Sequence, residues 1–373
     1  MSKRIKVLWV TNTVGCGGAE RQMLYMYQIM QRYCNFDITI LYYVHVADEL
    51  SIDNVNAIFI DKERMGRIRT ILSIAKYINK NDFDIVHAFG GGPANIYGRA
   101  GAILARHAIP VGAMLGKKHF ARLPNKIINS LLNLGGNWWT VNNAELIPIL
   151  QRDLKFISLE HIKMLHNGFV SDKEINYHTN EVTEYDEDKR DNLVFCAVGR
   201  LQSIKNYSLF IDAASVICRK YGNVRFWIVG NGEEYDHLTK QVKELEIGEK
   251  VRLWGFRLDV DVALSRSDVF VQTSYSEGSP NTIAEAMRAS KPIISTNSTD
   301  LSEMIENGKN GYVVKNNDLD SLVSAIDKLI CITDVERKRM GEKSKELFDK
   351  SFLDVNVVKE IESIYNQVLS STN

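Results

Sequence analysis

Asp268-Val269-Phe270-Val271-Gln272-Thr273-Ser274-Tyr275-Ser276-Glu277-Gly278-Ser279-Pro280-Asn281-Thr282-Ile283-Ala284-Glu285-Ala286-Met287 is the stretch whose reading decides the fold. An apolar strand runs into a Gly/Ser/Pro/Asn turn, and the turn opens a helix. Backbone amides at a helix start lack intrahelical acceptors and carry partial positive charge, which suits a phosphate. Glu277 and Glu285 flank the opening, eight positions apart. A carboxylate repels phosphate but accepts hydrogen bonds from hydroxyls. An anion-binding turn between two hydroxyl acceptors fits a nucleotide sugar.

Outward from this stretch, short β-branched runs alternate with longer helical periods. Strands are expected at 7–10, 38–43, 85–88, 111–115 and 138–141, with a helix over 19–32. An acidic stretch without apolar period (Glu181, Glu184, Asp186, Glu187, Asp188) interrupts the pattern, which then restarts. Strands follow at 192–198, 224–229, 251–254, 269–272 and 292–295, with helices over 206–219 and 233–245. Such alternation makes a parallel sheet covered on both faces, and here it occurs twice. The expected architecture is α/β, with two Rossmann-like doubly wound units over 1–170 and 192–353 joined by a linker at 171–191. The units are expected to face a cleft. The last segment, about 354–373, has helical spacing at Val357, Val358, Ile361, Ile364, Tyr365 and Val368 and should strap back onto the first unit.

With 373 residues, each unit is long enough to bury its own core. The 46 basic and 46 acidic residues cancel, which argues against a dedicated nucleic-acid binder. The balance is uneven, however: residues 85–144 hold no Asp or Glu but carry Arg99, Arg106, Lys117, Lys118, Arg122 and Lys126. Lys117, Lys118, Arg122 and Lys126 precede Ile127, Ile128, Leu131 and Leu132. Arg64, Arg67, Arg69 and Lys76 accompany Ile68, Ile71, Leu72 and Ile74. Basic amphipathic segments of this kind rest on anionic membranes or serve as solvated helix faces. The five cysteines are scattered without metal spacing and read as small hydrophobes in a reduced setting. The apolar run after residues 1–6 is too short for a signal peptide, and no stretch approaches the roughly 20 apolar residues of a membrane span. A cytoplasmic protein is expected, or one resting on the cytoplasmic face of a membrane.

Four further stations stand at successive strand ends. Gly15-Cys16-Gly17-Gly18-Ala19-Glu20-Arg21 follows the first strand, and Val198-Gly199-Arg200-Leu201 with Lys205-Asn206 follows the first strand of the second unit. Gly230-Asn231-Gly232 and Trp254-Gly255-Phe256 end the next two. Singly, each reads equally as a tight turn or a solvated helix start. A dinucleotide fingerprint would need Gly where Glu20 stands, so that ligand is disfavoured. Arg200 offers a planar donor fork and Lys205 a point charge, a pair able to grip a diphosphate. Gly230, Asn231 and Trp254 are candidate walls for a base.

Together these residues resemble the retaining glycosyltransferases of the GT-B fold, family four (glycosyl transferases group one). The resemblance rests on Asn167-Gly168, Val198-Gly199-Arg200-Leu201, Lys205-Asn206, Gly230-Asn231-Gly232, Gly255-Phe256, the Glu277/Glu285 spacing and Gly17-Gly18-Ala19-Glu20-Arg21. It implies that Arg200 and Lys205 hold the donor diphosphate and stabilise the departing nucleotide. Gly278, Ser279, Pro280, Asn281 and Thr282 form the turn around the phosphates or sugar. Glu277 bonds the transferred sugar and Glu285 the ribose. Gly17 and Gly18 approach the phosphates from the first unit, which takes the acceptor. The family often carries a His after the strand near 111–115, where this chain has Gly116. His119 and His87 are the candidate replacements.

Two Asp-x-Asp strings, Asp82/Asp84 and Asp259/Asp261, do not follow apolar strands as a metal-dependent transferase would require. Neither a metal nor a cofactor is therefore expected. The resemblance implies a hexosyltransferase moving a sugar from an NDP-sugar to a glycan or polyprenyl-linked acceptor with retention, in surface polysaccharide or lipopolysaccharide synthesis. A GT-B epimerase or donor hydrolase, and an inactive nucleotide-sugar-binding module, are the alternatives.

Overall fold

A computed structural model describes residues 4–15, 18–34, 36–46, 52, 54–89, 92–117, 122–169 and 183–371. The chain divides into two compact units, Met1–Phe169 with Asp354–Asn373, and Val170–Leu353. In the first, strands β1 (Ile5–Thr11), β2 (Phe36–Tyr42), β3 (Ala57–Phe59), β4 (Ile85–Ala88), β5 (Ile109–Met114), β6 (Trp138–Val141) and β7 (Ile162–Met164) form one sheet. Its order is β3-β2-β1-β4-β5-β6-β7, and every pairing is parallel. In the second, β8 (Leu193–Val198), β9 (Val224–Val229), β10 (Val251–Gly255), β11 (Val269–Gln272), β12 (Ile293–Thr296) and β13 (Gly311–Val314) run β10-β9-β8-β11-β12-β13. These pairings too are all parallel. The central strands are apolar throughout because helices cover both faces: Val194, Phe195, Cys196 and Ala197 of β8 are all buried.

The edge strands β3, β7 and β13 escape sequence reading, being three or four residues long and largely half-exposed. Part of the expected linker is also structured. Thr183 and Asp186 form a capping box for helix Glu184–Lys189, whose early acids complement its N-terminal dipole. Its single buried anchor, Tyr185, lies against Trp227 and Trp254, so no apolar period was there to find. In helix Asn281–Arg288 the inward residues include Ile283, Ala284, Ala286 and Met287, and Ser290 just beyond is exposed. Ser290 takes a left-handed φ of 56° just past the helix end, where glycine would be unstrained.

Helix Asp354–Ser370 packs back onto the first unit, as its spacing predicts. Val357, Val358, Ile361, Ile364, Tyr365 and Val368 share a core with Met26, Ile29 and Met30 of helix Gly18–Tyr33. Gly168 permits the close approach there, since a Cβ would meet Ile29 Cδ1 and Met26 Sδ at 3.1 Å. Polar bonds fix the strap as well. Trp9 Nε1 donates to Tyr365 Oη at 2.8 Å, and that hydroxyl lies 2.9 Å from His87 Nδ1. His87 Nε2 lies 2.9 Å from Thr140 Oγ1, and His166 Nδ1 lies 2.8 Å from Glu360. One proton arrangement satisfies the buried chain: Trp9 to Tyr365, Tyr365 to neutral His87, and His87 to Thr140.

Burial lowers the pKa of His87 from 6.5 to about 3. Because the folded value lies below the unfolded one, its contribution is complete above about pH 6.5 and is lost as pH falls toward 3. Replacing His87 by Leu is expected to cost about 1–3 kcal/mol at neutral pH, by leaving the buried Tyr365 O–H without its acceptor and Thr140 Oγ1 without its donor. The gap from wild type should shrink by roughly 1.4 kcal/mol per unit below pH 6.5, which urea unfolding at neutral and acid pH measures.

Candidate functional site

In the second unit the chain leaves β8 toward β9 on one side and β11 toward β12 on the other, so strand order reverses between β8 and β11. The loops beyond such a point part and leave a crevice at the carboxyl ends of the strands. Lys205 lies on the loop after β8, and Glu277 on the turn after β11. Their side chains meet across the reversal, with Lys205 Nζ 2.7 Å from Glu277 Oε1.

Two further donors converge on the same oxygen. Ser274 Oγ donates to Glu277 Oε1 at 2.6 Å and Gln272 Nε2 at 3.3 Å. Oε2 has no partner among the described residues. One oxygen is thus saturated and the other is left to accept, while Lys205 keeps two unused N–H groups. The side chains are 24 % and 13 % exposed, so the pair is reachable yet largely out of water.

The loops are tied to one another through their backbones. Tyr275 N donates to Ile204 O at 2.8 Å, and Thr273 Oγ1 to Lys205 O at 3.0 Å. Thr296 Oγ1 donates to Ser274 O at 2.7 Å, and Glu277 N to Ser298 O at 3.3 Å. Behind the carboxylate, packing leaves a cavity of about 10 Å³ lined by Lys205, Tyr207, Gln272 and Thr282 among others. Tyr207 is buried there, and its pKa is raised first by burial and then by the Glu277 carboxylate.

On the other flank, glycines let three loops lie against one another. Gly199 N donates to Val229 O, Leu201 N to Asn231 O, and Gly230 N to Gly255 O, at 2.8–3.0 Å. A Cβ on Gly230 would sit 1.9 Å from Gly199 O, so only glycine fits. This contact sets the path of the backbone that carries Arg200. Helix Asn281–Arg288 follows Pro280, and the amides of Gly278, Ser279 and Thr282 find no acceptor among the described residues.

The expected site residues divide accordingly. Lys205, Glu277 and the Gly278–Asn281 turn come together. Arg200 is exposed, with no ion pair among the described residues, on the loop stitched to Gly230. Asn231 is exposed, and its Oδ1 accepts from Gly232 N at 2.8 Å. Glu285 is half-buried on the helix. Gly18 opens helix Gly18–Tyr33, while Gly17 and His119 lie outside the described residues.

Two expectations change. His87 is not available for proton transfer, because it is fully buried and bonded at both nitrogens. The Trp254 ring is not a free wall for a base: it packs on Tyr185 at 4.4 Å under the Arg252 guanidinium at 4.0 Å. The Asp-x-Asp strings are also engaged in structure, with Asp259 paired to Arg257, Asp261 to Arg288, and Asp84 accepting from Lys6 N. Sequence reasoning missed Gln272, Ser274 and Tyr207. Gln272 carried a faint signal, as a polar residue closing an otherwise apolar strand.

Residues 181–347 match the family model described as "Glycosyl transferases group 1". A galactosyltransferase of Escherichia coli, UDP-Gal:alpha-D-GlcNAc-diphosphoundecaprenol alpha-1,3-galactosyltransferase, is 33 % identical over 179 residues, 47 % of this chain and 45 % of that protein. The lipopolysaccharide core biosynthesis glycosyltransferase LpsE of Rhizobium meliloti is 29 % identical over 41 % of this chain and 44 % of its own length. The chain thus spans less than half the length of these relatives in each match. Among solved structures, HepE of Anabaena in complex with UDP superposes with a TM-score of 0.83 at 19 % identity, over 97 % of this chain and 100 % of that one. The fold is GT-B, and residues 181–347 are similar to the glycosyl transferases group 1 family.

The glycine contact is testable apart from any activity. Gly230→Ala is expected to lower unfolding free energy by about 2 kcal/mol or more, since backbone must move to admit the methyl group. Chemical denaturation beside Gly222→Ala, where a Cβ meets open space, measures the difference.

Proposed function

We propose that the chain is a retaining glycosyltransferase that moves a hexose-type sugar from a UDP-sugar to a hydroxyl of a glycan or polyprenyl-linked acceptor. The observation that carries this reading is the asymmetry of Glu277. Three donors hold Oε1, leaving Oε2 to accept from a sugar hydroxyl. Lys205 turns its remaining N–H groups to the diphosphate, and Arg200 and the amides of Gly278, Ser279 and Thr282 add donors. As the bond from the anomeric carbon to the phosphate oxygen breaks, these groups take up the charge of the departing UDP. The acceptor oxygen bonds to the same face of that carbon, and its proton passes to the released phosphate. The products are UDP and a glycoside of unchanged configuration. Glu285 is assigned to the ribose, and the first unit to the acceptor.

The family match supports the reaction class. The relatives' names support a UDP donor and an acceptor in lipopolysaccharide or surface-polysaccharide synthesis. A lipid-linked acceptor lies at a membrane, so we place the protein at the cytoplasmic face of an anionic one.

A panel of UDP-sugars screened by thermal shift identifies the donor, because a ligand bound only to the folded state raises the melting point. With that donor and a lipid-linked acceptor, Glu277→Gln and Lys205→Ala are each expected to lower kcat about 10²–10³-fold. Melting temperatures without ligand should stay near wild type, since desolvation offsets most of the pair's attraction and Glu277 keeps its Ser274 and Gln272 partners when Lys205 is removed. Normal turnover in both variants would end this reading.

A further inference from the structure

Helix Leu123–Leu132 is packed inside out. Its buried residues are polar, Asn129 and Ser130, and its outward residues are apolar. Leu123, Ile127, Ile128 and Leu131 are 68 %, 53 %, 40 % and 58 % exposed, and Leu134 just beyond is 68 % exposed. The inward face is fixed by specific bonds. Buried Arg99 donates to Asn129 Oδ1 and Asn133 Oδ1, while Ser130 Oγ accepts from Lys155 N at 2.9 Å. Asn133 also donates to Lys155 O and accepts from Trp139 Nε1. Rotating the helix to bury its aliphatic side would leave Arg99 without these partners, so the outward apolar stripe is built into the fold.

The stripe continues across its neighbours. Helix Leu123–Leu132 packs beside Gly92–Ala105, which packs beside Arg67–Asn81. Leu104 is 51 % exposed on the second of these, and Ile68 and Leu72 are 75 % and 54 % exposed on the third. None of the three helices contains an Asp or Glu. Arg67, Arg69, Lys76 and Lys80 stand exposed on the third helix, and Arg122 caps the first. A soluble surface would intersperse both signs of charge and would not line up large aliphatic residues.

We propose that this three-helix face docks the first unit on an anionic lipid bilayer, with the aliphatic side chains entering the headgroup boundary and the arginines and lysines meeting lipid phosphates. Charge complementarity selects this occupant. Two copies joined by a symmetric contact would press like charges together, whereas an anionic bilayer supplies an apolar layer edged with negative charge. The proposal deepens the reading of a lipid-linked acceptor by naming the surface that would bring the enzyme to it, and it stands or falls without any transfer reaction.

The test is sedimentation of the full chain with vesicles of phosphatidylcholine alone or mixed with phosphatidylglycerol, with neither donor nor acceptor present. Wild type is expected to bind the anionic vesicles and to be released by salt. Ile127→Asp with Leu131→Asp, and separately Arg67→Glu with Arg69→Glu, should each lower the partition coefficient about tenfold or more. The thermal shift given by UDP should be unchanged in both, which reports the second unit intact. Far-ultraviolet circular dichroism matching wild type reports the first. Wild type remaining in the supernatant, or undiminished binding by both variants, would overturn the proposal. So would a dimer that the Ile127/Leu131 variant dissolves while vesicle binding is absent, because the face would then belong to a second copy.

Discussion

The Lys205–Glu277 pair holds together two loops that leave the second sheet in opposite directions. An ion pair with both side chains mostly out of water gains little net stability, because desolvation offsets most of the Coulomb attraction. What it supplies is position. Ser274 and Gln272 pin one carboxylate oxygen, and backbone bonds from Tyr275 and Thr273 fix the lysine loop against the glutamate turn. Without the parallel order β8-β11 these groups, 72 residues apart, would not meet. The proposed reaction rests on that placement: a cation and backbone amides offered to a leaving diphosphate, beside a carboxylate oxygen left to accept a hydrogen bond.

The polar devices of the first unit are structural. His87 stands at a strand end and looked like a catalytic candidate, but Tyr365 from the terminal helix and Thr140 from β6 occupy both its nitrogens. The same tyrosine engages Trp9, so the strap is tied to β1 and β4 directly and to β6 through His87. Arg99, buried with no carboxylate partner among the described residues, plays a comparable part for the outer helices: it takes its acceptors from asparagines and from Gly136 O, and its guanidinium lies 4.5 Å over the Trp139 ring.

Much of this was legible in the amino-acid order, for definable reasons. The central strands are β-branched runs buried on both sides, and 85–88, 138–141, 224–229 and 269–272 coincide with observed strands. The meeting of Lys205 and Glu277 was legible because both stand just beyond the carboxyl ends of neighbouring strands in a parallel sheet. The edge strands β3, β7 and β13 carried too little burial to leave a pattern, and helix Glu184–Lys189 is held by one tyrosine. Trp254 misled because a tryptophan at a strand end reads alike whether it faces a ligand or a neighbouring helix. The roles of Gln272 and Ser274 required knowing where Glu277 points. In helix Leu123–Leu132 the period was visible, but its direction was not, since the polar positions face the core.

The position of a UDP-sugar bound in a crystal of this protein is the most direct check on the central claim. The account predicts the diphosphate against Lys205 and the amides of the turn after Glu277, with a sugar hydroxyl within hydrogen-bond distance of Glu277 Oε2. A sugar lying away from Glu277, or a diphosphate out of reach of Lys205, would contradict it.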